Sequence, residues 1–168
     1  MMKKTFYLSL GSNLGDKISN LRRAVNWLKE SGDIISISSV YKTSPVDMDA
    51  GTEPFLNLAL AVFSTLEPEE MLHRIKVFEG KMGRSESGSG YAPRIIDIDI
   101  LMVDDLVISR PDLTVPHPRM TLRAFVLVPL NEIAPHMVDP VSKKRVTDIL
   151  NDFQSDESIE KCPEKLRF

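Results

Sequence analysis

The spacing of hydrophobic and polar positions changes several times along the chain, and each change marks an element. Thr5 to Leu10 is a short apolar run that predicts a strand, and Gly11-Ser12-Asn13-Leu14-Gly15-Asp16 supplies turn chemistry after it. From Lys17 to about Glu30, the residues Ile18, Leu21, Val25 and Leu28 recur at helical spacing, with Trp27 beside the stripe and Gly32 past its end. Ile34 to Tyr41 alternates apolar and small polar residues as a half-buried strand does. Phe55 to Phe63 predicts the next strand, in which Asn57 is the one strongly polar residue. Between these two runs, residues 43–54 hold two prolines and no apolar period; connections of this length in compact domains are typically lids or binding loops. A second helix begins at Pro68, carries Glu69 and Glu70 in its first turn, and aligns Met71, Leu72, Ile75, Phe78 and Met82 on one stripe. Residues 83–90, rich in glycine and serine, form a second loop.

That loop leads into Tyr91-Ala92-Pro93-Arg94-Ile95-Ile96-Asp97-Ile98-Asp99-Ile100-Leu101-Met102-Val103, a strand after the proline break. Strand residues alternate faces, which puts Asp97 and Asp99 on one side about 7 Å apart at Cα and Ile96, Ile98 and Ile100 on the other. The order strand, helix, strand, strand, helix, strand is the split βαβ arrangement, and predicts an α+β ferredoxin-like sandwich with an antiparallel sheet and both helices on one face. Extra C-terminal elements follow: a hairpin strand at Leu106–Ile108, a helix over Thr121–Ile133 despite Pro129, and a short helix at Val146–Leu150. Residues 1–150 read as a single catalytic domain. Residues 151–168, charged and poor in apolar side chains, read as a polar tail.

Composition narrows the function. The chain has 168 residues, enough for one domain with its own core. With 21 basic against 24 acidic residues and a net charge of −3, it is not a general nucleic-acid binder, so any anionic ligand must meet a local basic cluster. The lone Cys162 makes no internal disulfide, and no apolar run approaches a membrane span; the expectation is a cytoplasmic protein. Three scattered histidines and one cysteine give no zinc spacing.

The chemistry centres on the two aspartates. Like charges at that spacing, set among isoleucines, raise the pKa of at least one carboxyl unless a cation lies between them. Carboxylates suit Mg²⁺, which takes one or two of them together with phosphate oxygens. An Asp-x-Asp strand by itself is more often the charged face of an edge strand than a metal site. Arg84, Arg94, Arg119, Arg123 and His117 tilt the balance, because carboxylates for metal and arginines for anionic oxygens are what transfer of a phosphoryl-type group requires. Two other readings remain open at this point: a ligand-binding module without turnover, and a different metal-dependent transferase built on the same pair.

Gly11-Ser12-Asn13-Leu14-Gly15, Leu56-Asn57, Ala92-Pro93-Arg94-x-x-Asp97-x-Asp99-Ile100, Val115-Pro116-His117-Pro118-Arg119 and Arg123-x-Phe125 stand in the order found in the 6-hydroxymethyl-7,8-dihydropterin pyrophosphokinases of folate biosynthesis. The resemblance runs from about Phe6 to Leu150. It implies transfer of pyrophosphate from ATP, the co-substrate, to a reduced pterin, by a monomer needing no nucleic acid or membrane. By resemblance, Asp97 and Asp99 hold two Mg²⁺ ions; Arg84 and Arg94 serve catalysis and bind phosphates, with His117 and Arg123 also near the nucleotide and Leu72 and Ile100 lining the adenine region. Phe55 and Phe125 match the residues that sandwich the pterin, Asn57 the side chain that reads its edge, and Thr43, Ser44 and Val46 the loop that completes recognition. Glu86, Gly90 and Tyr91 depart from residues common in the family at those places.

Overall fold

A computed structural model of the chain describes residues 1–44, 51–83, 93–163 and 166. Among these, eight strands, four α-helices and one 3₁₀ turn follow the order β1 (Lys4–Ser12), α1 (Lys17–Leu28), β2 (Asp33–Ile37), β3 (Tyr41–Thr43), β4 (Phe55–Ser64), α2 (Pro68–Lys81), β5 (Asp97–Val103), β6 (Ile108–Ser109), β7 (Thr114–Val115), the 3₁₀ turn Met120–Leu122, α3 (Ala124–Ile133), α4 (Val146–Asp152) and β8 (Ile159–Lys161). Six strands form one sheet in the order β5-β1-β4-β3-β8, with β2 also on β4, and every pairing is antiparallel.

Local chemistry sets the helix starts. Asp16 accepts a hydrogen bond from the Ser19 N–H at 3.0 Å and so caps α1, after Gly15 has turned the chain at φ +67, a conformation that favours glycine. Pro68 opens α2 where its missing N–H costs nothing, Glu69 and Glu70 follow in the first turn, and Lys81 occupies the last. Trp27 of α1 stacks on Phe78 of α2 with centroids 4.4 Å apart, joining the two helices.

The sheet separates two apolar layers. Phe6, Leu8 and Leu10 of β1, Leu58, Leu60 and Val62 of β4, and Ile98 and Ile100 of β5 face the layer built with α1 and α2. Ala59, Leu101 and Met102 face the other, where Val126 and Leu130 of α3 and Val146 of α4 complete a second cluster. The alternation expected for the aspartate strand holds, with Ile96, Ile98 and Ile100 at most 5% exposed. Leu101 follows Asp97 and Asp99 onto that second face by simple alternation; Met102 joins it because the β1–β5 register shifts between Tyr7 and Leu8 at the unpaired Leu101, after which Val103 returns to the first layer.

Four expectations change. The run from Ile34 to Tyr41 is two strands, because Ser38 interrupts the ladder: its N–H donates to Ala59 O and its hydroxyl accepts from Ala59 N–H. The residues after Asp104-Asp105 do not return beside β5; β6 pairs instead with β7. Asp104 is held to β1 through both its N–H and its carboxylate at Thr5, and this turns the chain out of the sheet. The helix placed at Thr121 starts at Ala124, with a 3₁₀ turn before it, and accommodates Pro129 internally. The C-terminal segment is more than a polar tail: Ile159–Lys161 add to β3 as a strand. Strand addition uses backbone groups, so a segment with few apolar side chains can still dock.

Candidate active site

Asp97 and Asp99 start β5, on the sheet face opposite the α1/α2 layer. Asp99 faces Ser9 across the pairing and Asp97 faces Gly11. On its other side Gly11 faces Asn57 of β4, and Asn57 in turn faces Tyr41 of β3. The aspartates and Asn57 therefore lie on one surface two strands apart, about 10 Å at Cα, with a residue lacking a side chain between them. A Cβ at Gly11 would lie 2.8 Å from Asn57 Oδ1 and 3.7 Å from Phe55 Cδ1, so Asn57 and Phe55 both border the space above it. Asn57 is 3% exposed and its Nδ2 donates to Thr43 Oγ1 at 2.8 Å. That bond fixes which edge of the amide points away from β3.

The charges around the aspartates are unequal. Arg94 Nη1 donates to Asp97 Oδ1 at 2.7 Å, and both side chains are about a quarter exposed (26% and 25%). Asn13 holds the Arg94 backbone from both directions, accepting from its N–H at 2.6 Å and donating to its carbonyl at 3.0 Å. Asp99 lacks such compensation: burial first, then the charges of Asp97 and Glu79, raise its pKa to about 7 against the opposing pull of Arg123 and Arg94. Glu79, 2% exposed on α2, accepts the Ile98 N–H at 2.8 Å from behind the strand. It thereby grips the peptide between the two aspartates.

His117 arrives through the register shift, its N–H donating to the Leu101 carbonyl at 2.8 Å, just after the cis Val115-Pro116 bond. Burial, Arg123 and Arg119 hold its pKa below the ordinary value, with Asp97 opposing. The Arg119 N–H donates to Nδ1 at 3.1 Å, so the neutral ring carries its proton on Nε2 and is a donor there. Arg123 sits at the N-terminal boundary of α3 with its Cζ 5.5 Å from the Phe125 ring centroid.

Asp97, Asp99, Arg94, Arg123 and His117 thus share one electrostatic neighbourhood, while Thr43, Phe55 and Asn57 form a second group beside it. Phe125 is half-buried against the second apolar cluster, on the face where α3 packs. Leu72 is half-buried on α2, and Ile100 is 5% exposed with its side chain in the α1/α2 layer. Ser44 is exposed at the end of β3. Arg84 and Val46, like Glu86, Gly90 and Tyr91, lie outside the described residues. Three contributors were missed in the sequence: Asn13, Gly11 and Glu79. Gly11 reads as turn chemistry but lies inside β1, where a strand glycine signals close approach. Glu79 left a clearer trace, a carboxylate at i+4 from Ile75 on an apolar stripe.

A divalent cation suits this donor set. Asp99 carries a charge that burial and neighbouring carboxylates disfavour, and a cation beside it removes that penalty. Among the described residues no cluster of three or more metal-ligating side chains occurs. No helix among the described residues is long and apolar enough to cross a membrane.

The 2-amino-4-hydroxy-6-hydroxymethyldihydropteridine pyrophosphokinase of Aquifex aeolicus is 41% identical over 140 residues, 83% of this chain and 86% of that one. The folic acid synthesis protein FOL1 of Dictyostelium discoideum is 42% identical over 134 residues, 80% of this chain but 20% of that much longer protein. Among solved structures, Plasmodium falciparum HPPK-DHPS superposes with a TM-score of 0.73 at 19% identity, covering 89% of this chain and 44% of that one, a likeness of fold. Residues 7–135 match the description of the 7,8-dihydro-6-hydroxymethylpterin-pyrophosphokinases, and with the Aquifex relative matched over most of both lengths, the chain belongs to the HPPK family.

Proposed function

We infer that this chain transfers the pyrophosphoryl group of ATP to the hydroxymethyl group of 6-hydroxymethyl-7,8-dihydropterin, releasing AMP, in folate synthesis. The observation that carries the reading is the shared sheet face: Asp97 and Asp99 on one side of Gly11, Asn57 and Phe55 on the other. A phosphate-handling half and a flat-ring half meet across a strand position that carries no side chain of its own. In the reaction the pterin hydroxyl oxygen forms a bond to the β-phosphorus and the bond from that phosphorus to the oxygen on the α-phosphate breaks.

Asp97 and Asp99 would hold Mg²⁺, two ions in this reading, which when bound neutralises phosphate charge and acidifies the attacking hydroxyl. Arg94 and Arg84 bind phosphate oxygens, where a guanidinium fork engages two at once. Neutral His117 donates from Nε2 to the nucleotide. Arg123, already resting on Phe125, spans both halves. Leu72 and the Ile100 segment border the adenine. Phe55 and Phe125 sandwich the pterin, Asn57 reads its edge in the orientation that Thr43 imposes, and Thr43, Ser44 and Val46 complete its recognition. The fold proposed is ferredoxin-like, supported by the element order and by the sheet order β5-β1-β4-β3. A single catalytic domain over residues 1–150, a monomeric state and a cytoplasmic location belong to the same proposal.

The test is AMP formation from ATP and Mg²⁺ by purified protein, with and without the pterin. AMP that depends on the pterin establishes the reaction. Folded protein that forms none, while still binding nucleotide, overturns it in favour of a binding module.

A further inference from the structure

The C-terminal segment touches both walls of the site and belongs to neither. β8 pairs with β3 so that Ile159 faces Thr43, Glu160 faces Lys42 and Lys161 faces Tyr41. The pairing extends beyond the strand, with the Ser44 N–H donating to Ser158 O at 3.4 Å and the Cys162 N–H to Val40 O at 2.8 Å. One residue before this, Glu157 Oε2 accepts the Ala124 N–H at 3.2 Å, at the first residue of α3. Arg123 ends the approach to that helix without a side-chain cap of its own, so Glu157 supplies the missing acceptor from another part of the chain. A carboxylate there also complements the positive end of the helix dipole.

The far end of α3 is tied to the same strands. Glu132 accepts from the Tyr41 hydroxyl and from both the N–H and the hydroxyl of Ser39. Burial works against its ionisation, but the bonds from Tyr41 and Ser39 and the charge of Lys161 together hold its carboxyl below the usual range. Residues 157–162 thus bridge β3, which carries Thr43 and Ser44, and α3, which carries Phe125.

We propose that residues 157–162 are a brace that sets the spacing between the Thr43–Asn57 wall and the Phe125 wall, with Glu157 as a positioning residue for pterin binding. The inference rests on the pterin assignment above. Without β8, β3 is a three-residue edge strand. Without Glu157, the hydrogen bond that ties the first turn of α3, and Arg123 and Phe125 with it, to the segment docked on β3 is lost, while Glu132 still holds the opposite end to Tyr41 and Ser39.

Two full-length variants decide it. Glu157→Ala is expected to raise KM for the pterin by roughly three- to tenfold, the range for losing one helix cap, with a smaller rise in KM for ATP, transmitted through Arg123 alone, and kcat within about twofold. Glu157→Gln keeps an oxygen acceptor and is expected to restore the pterin KM to within about twofold of the unmodified chain. Amide exchange supplies a readout that needs no turnover: Glu157→Ala should speed exchange at Ala124 and, through the shared segment, at Thr43 and Ser44. A pterin KM that does not move, or one that rises no more than the ATP constant, overturns the brace. If the unmodified chain forms no pterin-dependent AMP, the reaction assignment fails. The brace is then judged on exchange alone, and unchanged protection at Thr43 and Ser44 overturns it.

Discussion

Replacing Gly11 by alanine tests the geometry of the site with a single methyl group. Gly11 has no left-handed φ, so the substitution strains no backbone; its effect comes from contact. The added Cβ would stand 2.8 Å from Asn57 Oδ1 and 3.8 Å from its Cγ. Close carbon–oxygen contacts begin at about 3.3 Å, so the amide must retreat by about 0.5 Å, the tolerance within which a binding group stays productive. It has little room to do so, because its Nδ2 is already bonded to Thr43 Oγ1 at 2.8 Å and a shift of that size takes the bond to the edge of its useful range. Loss of one well-oriented hydrogen bond corresponds to about 1 kcal/mol, or between fivefold and tenfold in affinity. The expected result is a pterin dissociation constant raised by roughly that factor, measured by calorimetric titration with a non-hydrolysable ATP analogue present, and nucleotide affinity changed by less than about twofold. An unchanged pterin constant in Gly11→Ala would mean that Asn57 does not read the ligand and would refute the reasoning.

Other expectations follow from the charged half. Asp97→Ala should lower Mg²⁺-dependent transfer by several orders of magnitude while leaving the circular dichroism spectrum intact; near-normal turnover would remove Asp97 from the metal site. The folded-state pKa of Asp99, about 7, lies above its ordinary 3.8, so folding favours the protonated form. In metal-free protein the contribution of Asp99 to stability should therefore be fully present below about pH 4 and be lost as the pH rises towards 7. Mg²⁺ affinity should climb over the same span and level off above it, and in Asp99→Asn a thermal-shift series should lose that dependence. Glu79→Leu leaves the buried Ile98 N–H without this acceptor, at a cost of about 1–3 kcal/mol in denaturant unfolding. Glu79→Gln keeps an acceptor, removes a charge, and should move the Asp99 titration to lower pH; if it does not, the two carboxylates are not coupled.

Most of the framework was legible because side-chain period and secondary structure coincide in it. Ile96, Ile98 and Ile100 against Asp97 and Asp99 announce both strand and face, and Pro68, Glu69 and Glu70 announce the start of α2. What escaped depends on partners distant in sequence. β8 docks through backbone groups and needs no apolar signature. The break at Ser38 is made by a hydroxyl that takes the place of a ladder bond to Ala59. Glu79 was visible only as a misplaced carboxylate on a helix stripe, and nothing in the sequence said which peptide it would grip. The pairing of Asn13 with Arg94 spans 81 residues and has no local trace.

The ion pair between Arg94 and Asp97 has a consequence for how the site fills. The guanidinium holds one of the two Asp97 carboxylate oxygens, so an ion that takes that atom competes with an arginine. A cation arriving with a triphosphate brings an anion that can receive the guanidinium in exchange. In the proposed reaction the pair acts as an exchange coupling: phosphates that receive Arg94 release an Asp97 oxygen to the metal they bring, so Mg²⁺ binds more tightly together with the nucleotide than alone.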